Sequence, residues 1–397
     1  MKMDAVQPTD PEQRLDLLDG LRGFALAGVL LANLVAFCLY AFLPSAHMTA
    51  LPTANIDRLL DPALSALVSG KFFTLFSLMF GVGFSLQMQR ASDDPVRRQR
   101  YLRRLGALLV IGMLHATLLW WGDVLRYYAV LGLLLLPLHR WPAGRLVAIG
   151  TVLVVLQPLL ALVLPSFPVA TQDQAHAAAL VAFSSHEWST MLQGNRAFAD
   201  WWLTAHWGTL MSIAGCMLVG AALGRSGVLR DPVAHARFWK RLLLALPTGL
   251  TLALVLLLSD YGRLPWPDGW QDTGGVHVVL WMLNRAVGLI LGLGYMAAFV
   301  LLFGMHRWRR LLQPLAPVGR MALSNYLAHS VVGIGLFYGI GLGLGPRYGL
   351  VGVGVVWVAV FATQIVLSHW WLARFRFGPA EWLWRSVTYG RRQPMRR

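Results

Sequence analysis

The sequence predicts an all-α polytopic membrane protein of about ten transmembrane helices, with the N- and C-termini cytoplasmic. Three observations predict it. Ten long apolar stretches interrupt the 397 residues. Apolar residues make up 57% of the chain and charged residues 13%, against about 25% charged in soluble domains. Lys and Arg collect in every second gap: the N-terminus, the even-numbered gaps and the C-terminus hold 27 of the 34. Cytoplasmic loops carry excess Lys and Arg, so both termini are set inside and a bacterial inner membrane is expected.

In chain order the stretches are roughly 21–43, 72–89, 105–122, 125–138, 146–164, 203–223, 242–259, 279–303, 322–344 and 350–373. Most approach the roughly 20 residues that cross about 30 Å of hydrocarbon. The fourth is short and must tilt, thin the bilayer or cross sheltered by protein. Backbone polar groups in lipid are satisfied within the segment, which makes each stretch a helix. Trp120, Trp121, Trp141, Trp201, Trp202, Trp239, Trp308, Trp370 and Trp371 fall at stretch ends, where an interfacial aromatic belt places them.

One transmembrane domain therefore fills residues 1–397: a cytoplasmic segment 1–20, a helical bundle 21–373 and a basic tail 374–397. Residues 55–69 read as an amphipathic helix in the outer interface. The inner loop 90–104, with Arg90, Arg97, Arg98, Arg100, Arg103 and Arg104, is the strongest topological anchor. The outer loop 165–202 mixes polar and apolar residues, His176, His186, Glu187 and Trp188 among them, and is expected to form a short surface helix. Gly220/Gly224, Gly288/Gly292 and Gly335/Gly339 have the spacing that lets helix backbones approach. They serve packing within the bundle or a homodimer.

The net charge of +16 does not indicate nucleic acid. Nine acidic residues accompany the inner basic set and nine the seven outer basic residues, so the excess lies on one side, facing anionic lipid. Cys38 and Cys216 are far apart inside apolar stretches, and no disulfide or metal site is expected. Asp4, Asp10, Glu12, Asp16 and Asp19 are wrong for the basic start of a cleaved signal, so the first helix is expected to be retained.

Polar groups inside membrane helices are costly and are functional candidates. Asp19 and Arg22 stand three apart at the inner mouth of the first helix, and Asn33 lies near its middle. Asn33 either bonds a neighbouring helix or positions a substrate carbonyl or amine. Asp123 and Arg126, with Tyr127, occupy a short outer turn. His115 precedes Asp123 by eight residues, about 12 Å along a helix at 1.5 Å per residue. It is either a satisfied core histidine or a general base near neutral pH. Asn325 and His329 lie at i, i+4 and face one neighbour. With Ser324, Tyr326 and Ser330 beside them, their helix lines a cavity or forms a polar seam. Lys71 and Arg285 at outer helix ends read as snorkelling side chains.

LDGLRGFALAGVLLANL (18–34), KFFTLFSLMFGVGF (71–84), RRLGALLVIGMLHATLLWWGDVLRYYA (103–129), GRMALSNYLAHS (319–330) and GPAEWLWRSVTY (378–389) resemble the YeiB-like family of bacterial integral membrane proteins, a domain-of-unknown-function family. His329 stands where that pattern carries Gln. The opening segment is also similar to that of lysosomal heparan-α-glucosaminide N-acetyltransferase, within a superfamily of transmembrane acyltransferases. Asp19, Arg22 and Asn33 match its Asp, Arg and Asn. That likeness implies acyl transfer from cytoplasmic acyl-CoA by a His shortly after the first span. His47 is the nearest His by position and His115 its rival.

Three functions follow from these residues. An acyltransferase would hold acyl-CoA phosphates with Arg97, Arg98, Arg100, Arg103 and Arg104. His115 or His47 would act as base, Asn33 would hold the carbonyl, and Asp123 would orient a histidine or bind a small-molecule acceptor. A transporter of a small polar molecule would line its path with Asn33, His115, Asn325 and His329. A non-catalytic lipid-binding protein needs only the glycine seams.

Overall fold

A helix satisfies its own N–H and C=O groups. All ten apolar stretches are helical in the computed structural model, which describes residues 11–88, 95–163, 170–260 and 274–397. They are α1 (Pro11–Phe37), α2 (Lys71–Met88), α3 (Pro95–Leu118), α4 (Leu125–Leu138), α5 (Ala143–Val155), α6 (Gly208–Ser226), α7 (Ala245–Asp260), α8 (Gly274–Phe303), α9 (Ala322–Phe337) and α10 (Gly349–Arg374). Among the described residues, seven segments are long and apolar enough to cross a membrane, and α4, α5 and α9 are shorter apolar helices. No strand occurs among the described residues. The chain is thus an all-α polytopic membrane protein.

Lipid gives these helices no hydrophobic reason to associate, so close backbone packing decides their arrangement. Gly81 of α2 lies against the backbone of Met217, and Gly220 of α6 against the backbone of Leu78. Neither position has room for a Cβ, which seats α2 on α6. Gly224 faces Val82 and Ser85, and Gly292 of α8 faces Thr74. Gly220, Gly224 and Gly292 thus pack within the chain, while a Cβ at Gly335 would meet nothing within 4 Å among the described residues.

The central element is α1, packed against α2, α8, α9 and α10. Trp357 of α10 donates its indole N–H to the carbonyl of Ala27 at 2.8 Å. At the basic end, Gly319 of the short helix Leu315–Arg320 lies against the carbonyl of Asp19. At the other end, Gly333 of α9 lies against the Phe37 ring. Both helices run the same way, so Asn33 is level with His329 and Ser330.

Two carboxylates start the last two helices of the bundle. Asp57, on the amphipathic helix Ala54–Leu67, is buried and accepts the N–H groups of Leu350 at 3.0 Å and Val351 at 3.3 Å. Ile56 and Leu59 on that helix are exposed. Glu381, on the helix Pro379–Tyr389, accepts from Leu323 N at 2.6 Å, Ser324 N at 3.1 Å and Ser324 Oγ at 2.5 Å. Orphan N–H groups at a helix start favour such anionic partners.

The outer loop departs from expectation. In place of one short surface helix, residues Gln172–Ser184 and Trp188–Ala205 form two helices. A capping box between Thr171 and Gln174 starts the first. The second is hooked to the bundle by Asn195, whose Nδ2 donates to the Ala116 carbonyl at 2.8 Å. Arg90 and the side chain of Arg97 lie outside the described residues.

Candidate functional site

His115 sits one turn from the end of α3. Past Leu118 the chain turns back on itself, and residues 119–124 return Asp123 to the histidine. His115 Nδ1 is 2.8 Å from Asp123 Oδ2, although a continuous helix would hold them about 12 Å apart. The other carboxylate oxygen of Asp123 accepts the Arg126 N–H at 3.0 Å, a charge at the N-terminus of α4. On its far side, His115 Nε2 is 2.7 Å from Ser330 Oγ of α9. His115, Asp123 and Ser330 are each about 1–2% exposed. An ionised Asp123 only accepts, so Nδ1 carries its hydrogen and donates to the carboxylate. Nε2 then accepts the Ser330 O–H. A hydroxyl, an imidazole and a carboxylate aligned in this order can take and return one proton.

Below this cluster lies a cavity of about 1170 Å³, above the roughly 300–1,000 Å³ of ordinary ligand pockets. Its mouth is at the end where the basic loops gather. Arg22, Arg100, Arg104, Arg230, Arg320 and Arg385 line it, with Asp19 and Glu381. Arg22 pairs with Asp19 at 2.9 Å, the one ion pair recorded for these six among the described residues. Arg104 lies 4.3 Å over the Trp384 ring, and Arg385 lies 4.4 Å over Phe377. Stacking fixes each guanidinium while leaving its N–H fork for a phosphate or carboxylate. Burial pushes the Glu381 carboxyl above the ordinary carboxylate range, while its bonds from Ser324 and Leu323 pull it back.

Further in, the walls are aromatic. Phe76 stacks on Tyr128, whose hydroxyl is 3.0 Å from Ser77 Oγ. The inner limit is Val124, Leu125 and Tyr326. The Tyr326 hydroxyl accepts the Val124 N–H at 3.3 Å, and its ring lies 5.3 Å from that of His115. Tyr326 therefore stands between the cavity and the His115–Ser330 pair. Beyond the pair, Phe37 packs 4.4 Å from Trp120, Trp121 4.6 Å from Phe198, and Phe183 4.7 Å from Tyr338. These rings plug the end away from the basic loops.

Asn33 shares the face of α1 that brings Leu26 and Val29 to the cavity, one turn further on. It is 4% exposed, and its Nδ2 has no hydrogen-bond partner among the described residues. Arg126 bonds the Tyr127 hydroxyl through Nη2 at 2.8 Å, beside Asp123. Asn325 and His329 turn toward α10. Asn325 Nδ2 donates to Ser368 Oγ at 3.1 Å, and His329 Nε2 is 3.1 Å from Gln364 Oε1. They build a polar seam, while Tyr326 on the same helix lines the cavity. His47 is exposed on the five-residue helix Ser45–Thr49, apart from the buried cluster. Lys71 is buried and donates to the Ser65 carbonyl at 2.6 Å.

The geometry adds residues that sequence reasoning left aside. Ser330 was read only as polarity on α9. Its i, i+4 spacing from Tyr326 was the available signal. Arg230, Arg320 and Arg385 come to the cavity from three separate segments, and only the strings GRMALSNYLAHS and GPAEWLWRSVTY, which contain Arg320 and Arg385, gave a local signal.

The fold and site together define a polytopic all-α membrane protein with a basic-mouthed cavity leading to a buried polar triad. Residues 223–391 match the family described as "Protein of unknown function (DUF418)". The chain is 33% identical to the uncharacterized protein YxaH of Bacillus subtilis (strain 168), covering 99% of this chain and 98% of that one. It is 30% identical to the uncharacterized protein YeiB of Escherichia coli (strain K12), covering 94% and 95%. No solved structure matches. The chain belongs to the YeiB-like family.

Proposed function

We propose that this protein is an inner-membrane acyltransferase of ten spans with cytoplasmic termini, moving an acyl group from cytoplasmic acyl-CoA to an acceptor within or across the membrane. The observation that carries the reading is the cavity itself, with six arginines at the basic mouth, an aromatic throat, and His115–Asp123 just past its inner limit. Arg–phosphate pairs are strong and directional, which suits the phosphates of a CoA at the mouth. An acyl chain suits the apolar throat. His115, oriented by Asp123, would remove the proton of the attacking group. Asn33 Nδ2 would donate to the carbonyl oxygen as charge develops on it. Asp19 and Arg22 shape the mouth, and Arg126 with Tyr127 flanks the acceptor side.

Native mass spectrometry of detergent-purified protein with acetyl-CoA and longer acyl-CoAs, against CoA and ATP, tests this. Saturable preference for acyl-CoA supports the reading, and its absence in folded protein sinks it. One feature favours a second reading, a transporter of a small polar molecule: the cavity is open at one end and plugged at the other. Saturable solute flux in proteoliposomes, with the solute chemically unchanged, would decide for transport.

A further inference from the structure

The acyl-transfer reading needs only a base at His115, yet a third group completes the arrangement. Ser330 is buried mid-helix on α9, 215 residues from His115 in sequence, with its Oγ 2.7 Å from Nε2. The Asp123 contact holds the imidazole in the tautomer that accepts from this hydroxyl. On α1, one turn past the cavity-lining Val29, the buried Asn33 amide has no partner for Nδ2 among the described residues. A nucleophile, a base and an orienting carboxylate therefore lie within hydrogen-bond reach of one another, and Asn33 offers a donor unpaired among the described residues.

We propose that Ser330 is an acyl-accepting nucleophile, carrying the acyl group as an ester between donor and acceptor. This deepens the acyltransferase reading and rests on it for the identity of the donor. In the first half-reaction the Ser330 O–H proton passes to His115 Nε2, and Oγ forms a bond to the thioester carbonyl carbon. The C–S bond then breaks, and the leaving thiolate takes the proton from the imidazolium, releasing a free thiol. Asn33 donates to the oxyanion between these events. In the second half-reaction an acceptor hydroxyl or amine gives its proton to His115 and attacks the ester carbon. The C–Oγ bond breaks, and Ser330 recovers the proton. Atoms and charge balance in each half, with no other reactant.

Tyr326 is the wall between the cavity and Ser330, so the donor's carbonyl arrives when that ring moves aside. The two half-reactions then share one base, and the thiol departs toward the arginines before the acceptor is engaged. Double-displacement kinetics follow from this order.

The test uses full-length protein in detergent and two independent probes. The first is a fluorophosphonate, which labels an activated serine whatever the natural donor. The second is acetyl-CoA and palmitoyl-CoA in parallel, read by intact-protein mass spectrometry and peptide mapping. The expected result is a single fluorophosphonate adduct on Ser330, absent from Ser330→Ala and formed roughly 10²–10⁴-fold more slowly by His115→Ala. Ser330→Cys keeps the packing and is expected to convert the acyl adduct from a hydroxylamine-resistant ester to a hydroxylamine-labile thioester. Labelling by the fluorophosphonate with no acylation by either CoA ester supports the nucleophile and overturns the donor reading. Acyl-CoA binding with neither adduct, in protein with a wild-type melting curve, overturns the Ser330 inference and leaves direct transfer standing.

Discussion

Glu381 holds the start of α9 from 58 residues away, its Oε1 2.6 Å from the Leu323 N–H. The C-terminal helix and the helix bearing Tyr326 and Ser330 are thus tied through one side chain that also lines the cavity mouth.

Removing that carboxylate by Glu381→Ala leaves the Leu323 and Ser324 N–H groups without their acceptor and is expected to destabilise the protein by about 1–2 kcal/mol. Glu381→Gln retains one oxygen and is expected to lose less. Burial raises the Glu381 carboxyl, so the folded chain keeps this proton to higher pH than the unfolded chain. The group's stabilising contribution is full below the ordinary carboxylate range and falls as pH rises toward the raised value. Melting curves in detergent across pH, wild type against Glu381→Gln, check this: the variant should show a flatter profile.

Gly319→Ala is expected to lower the yield of folded protein sharply, because its Cβ would overlap the Asp19 carbonyl. Gly106→Ala meets nothing within 4 Å and is expected to stay within about 0.5 kcal/mol of wild type or gain slightly from helix propensity. Size-exclusion profiles of the two variants make the comparison. Equal profiles would mean that α1 and the Leu315–Arg320 helix are not packed this closely.

Asp123→Asn keeps the size of the side chain and removes its charge. His115 then loses the partner that fixes its tautomer, and acyl transfer is expected to fall by roughly 10²–10⁴-fold. A melting temperature near that of wild type would assign the loss to chemistry.

Arg104→Gln and Arg385→Gln are each expected to weaken acyl-CoA binding by roughly 10–100-fold, as loss of a hydrogen bond to a charged group does. Free CoA should weaken in parallel, and binding should fall with added salt. Arg103, expected from the sequence to share the phosphate contacts, is instead exposed on the same helix and is not among the residues that line the cavity, so it serves as the control. A titration of each variant by native mass spectrometry gives the ratios.

Cys38 and Cys216 are buried, so single introduced cysteines can report sidedness. A membrane-impermeant thiol reagent outside cells is expected to label Ala50→Cys on the outer surface and to spare Arg391→Cys in the tail. The reverse pattern would invert the topology.

Hydropathy made the ten helices and their order legible, because each apolar stretch must satisfy its own backbone in lipid. The i, i+4 spacing of Asn325 and His329 pointed both at one neighbour, and both reach α10. The outer helices 172–205 were harder to read, since their mixed polarity reflects one face on the bundle and one in water. Ser330 was beyond local reading. Its contact with His115 exists only once α3 and α9, far apart in sequence, are brought together in the fold. Asp57 was hidden for the same reason. Its partners, the Leu350 and Val351 N–H groups, exist only once α10 begins beside it.

The aromatic plug of Phe37, Trp120, Phe183 and Tyr338 carries a consequence for energy conservation. A water-filled passage open at both ends would let protons run down any gradient across the membrane. With the end away from the basic loops shut by packed rings, the bundle can hold a wide cavity open at its other end without a continuous passage. A group handed past His115, as the acyl-transfer proposal requires, would therefore have to part these rings.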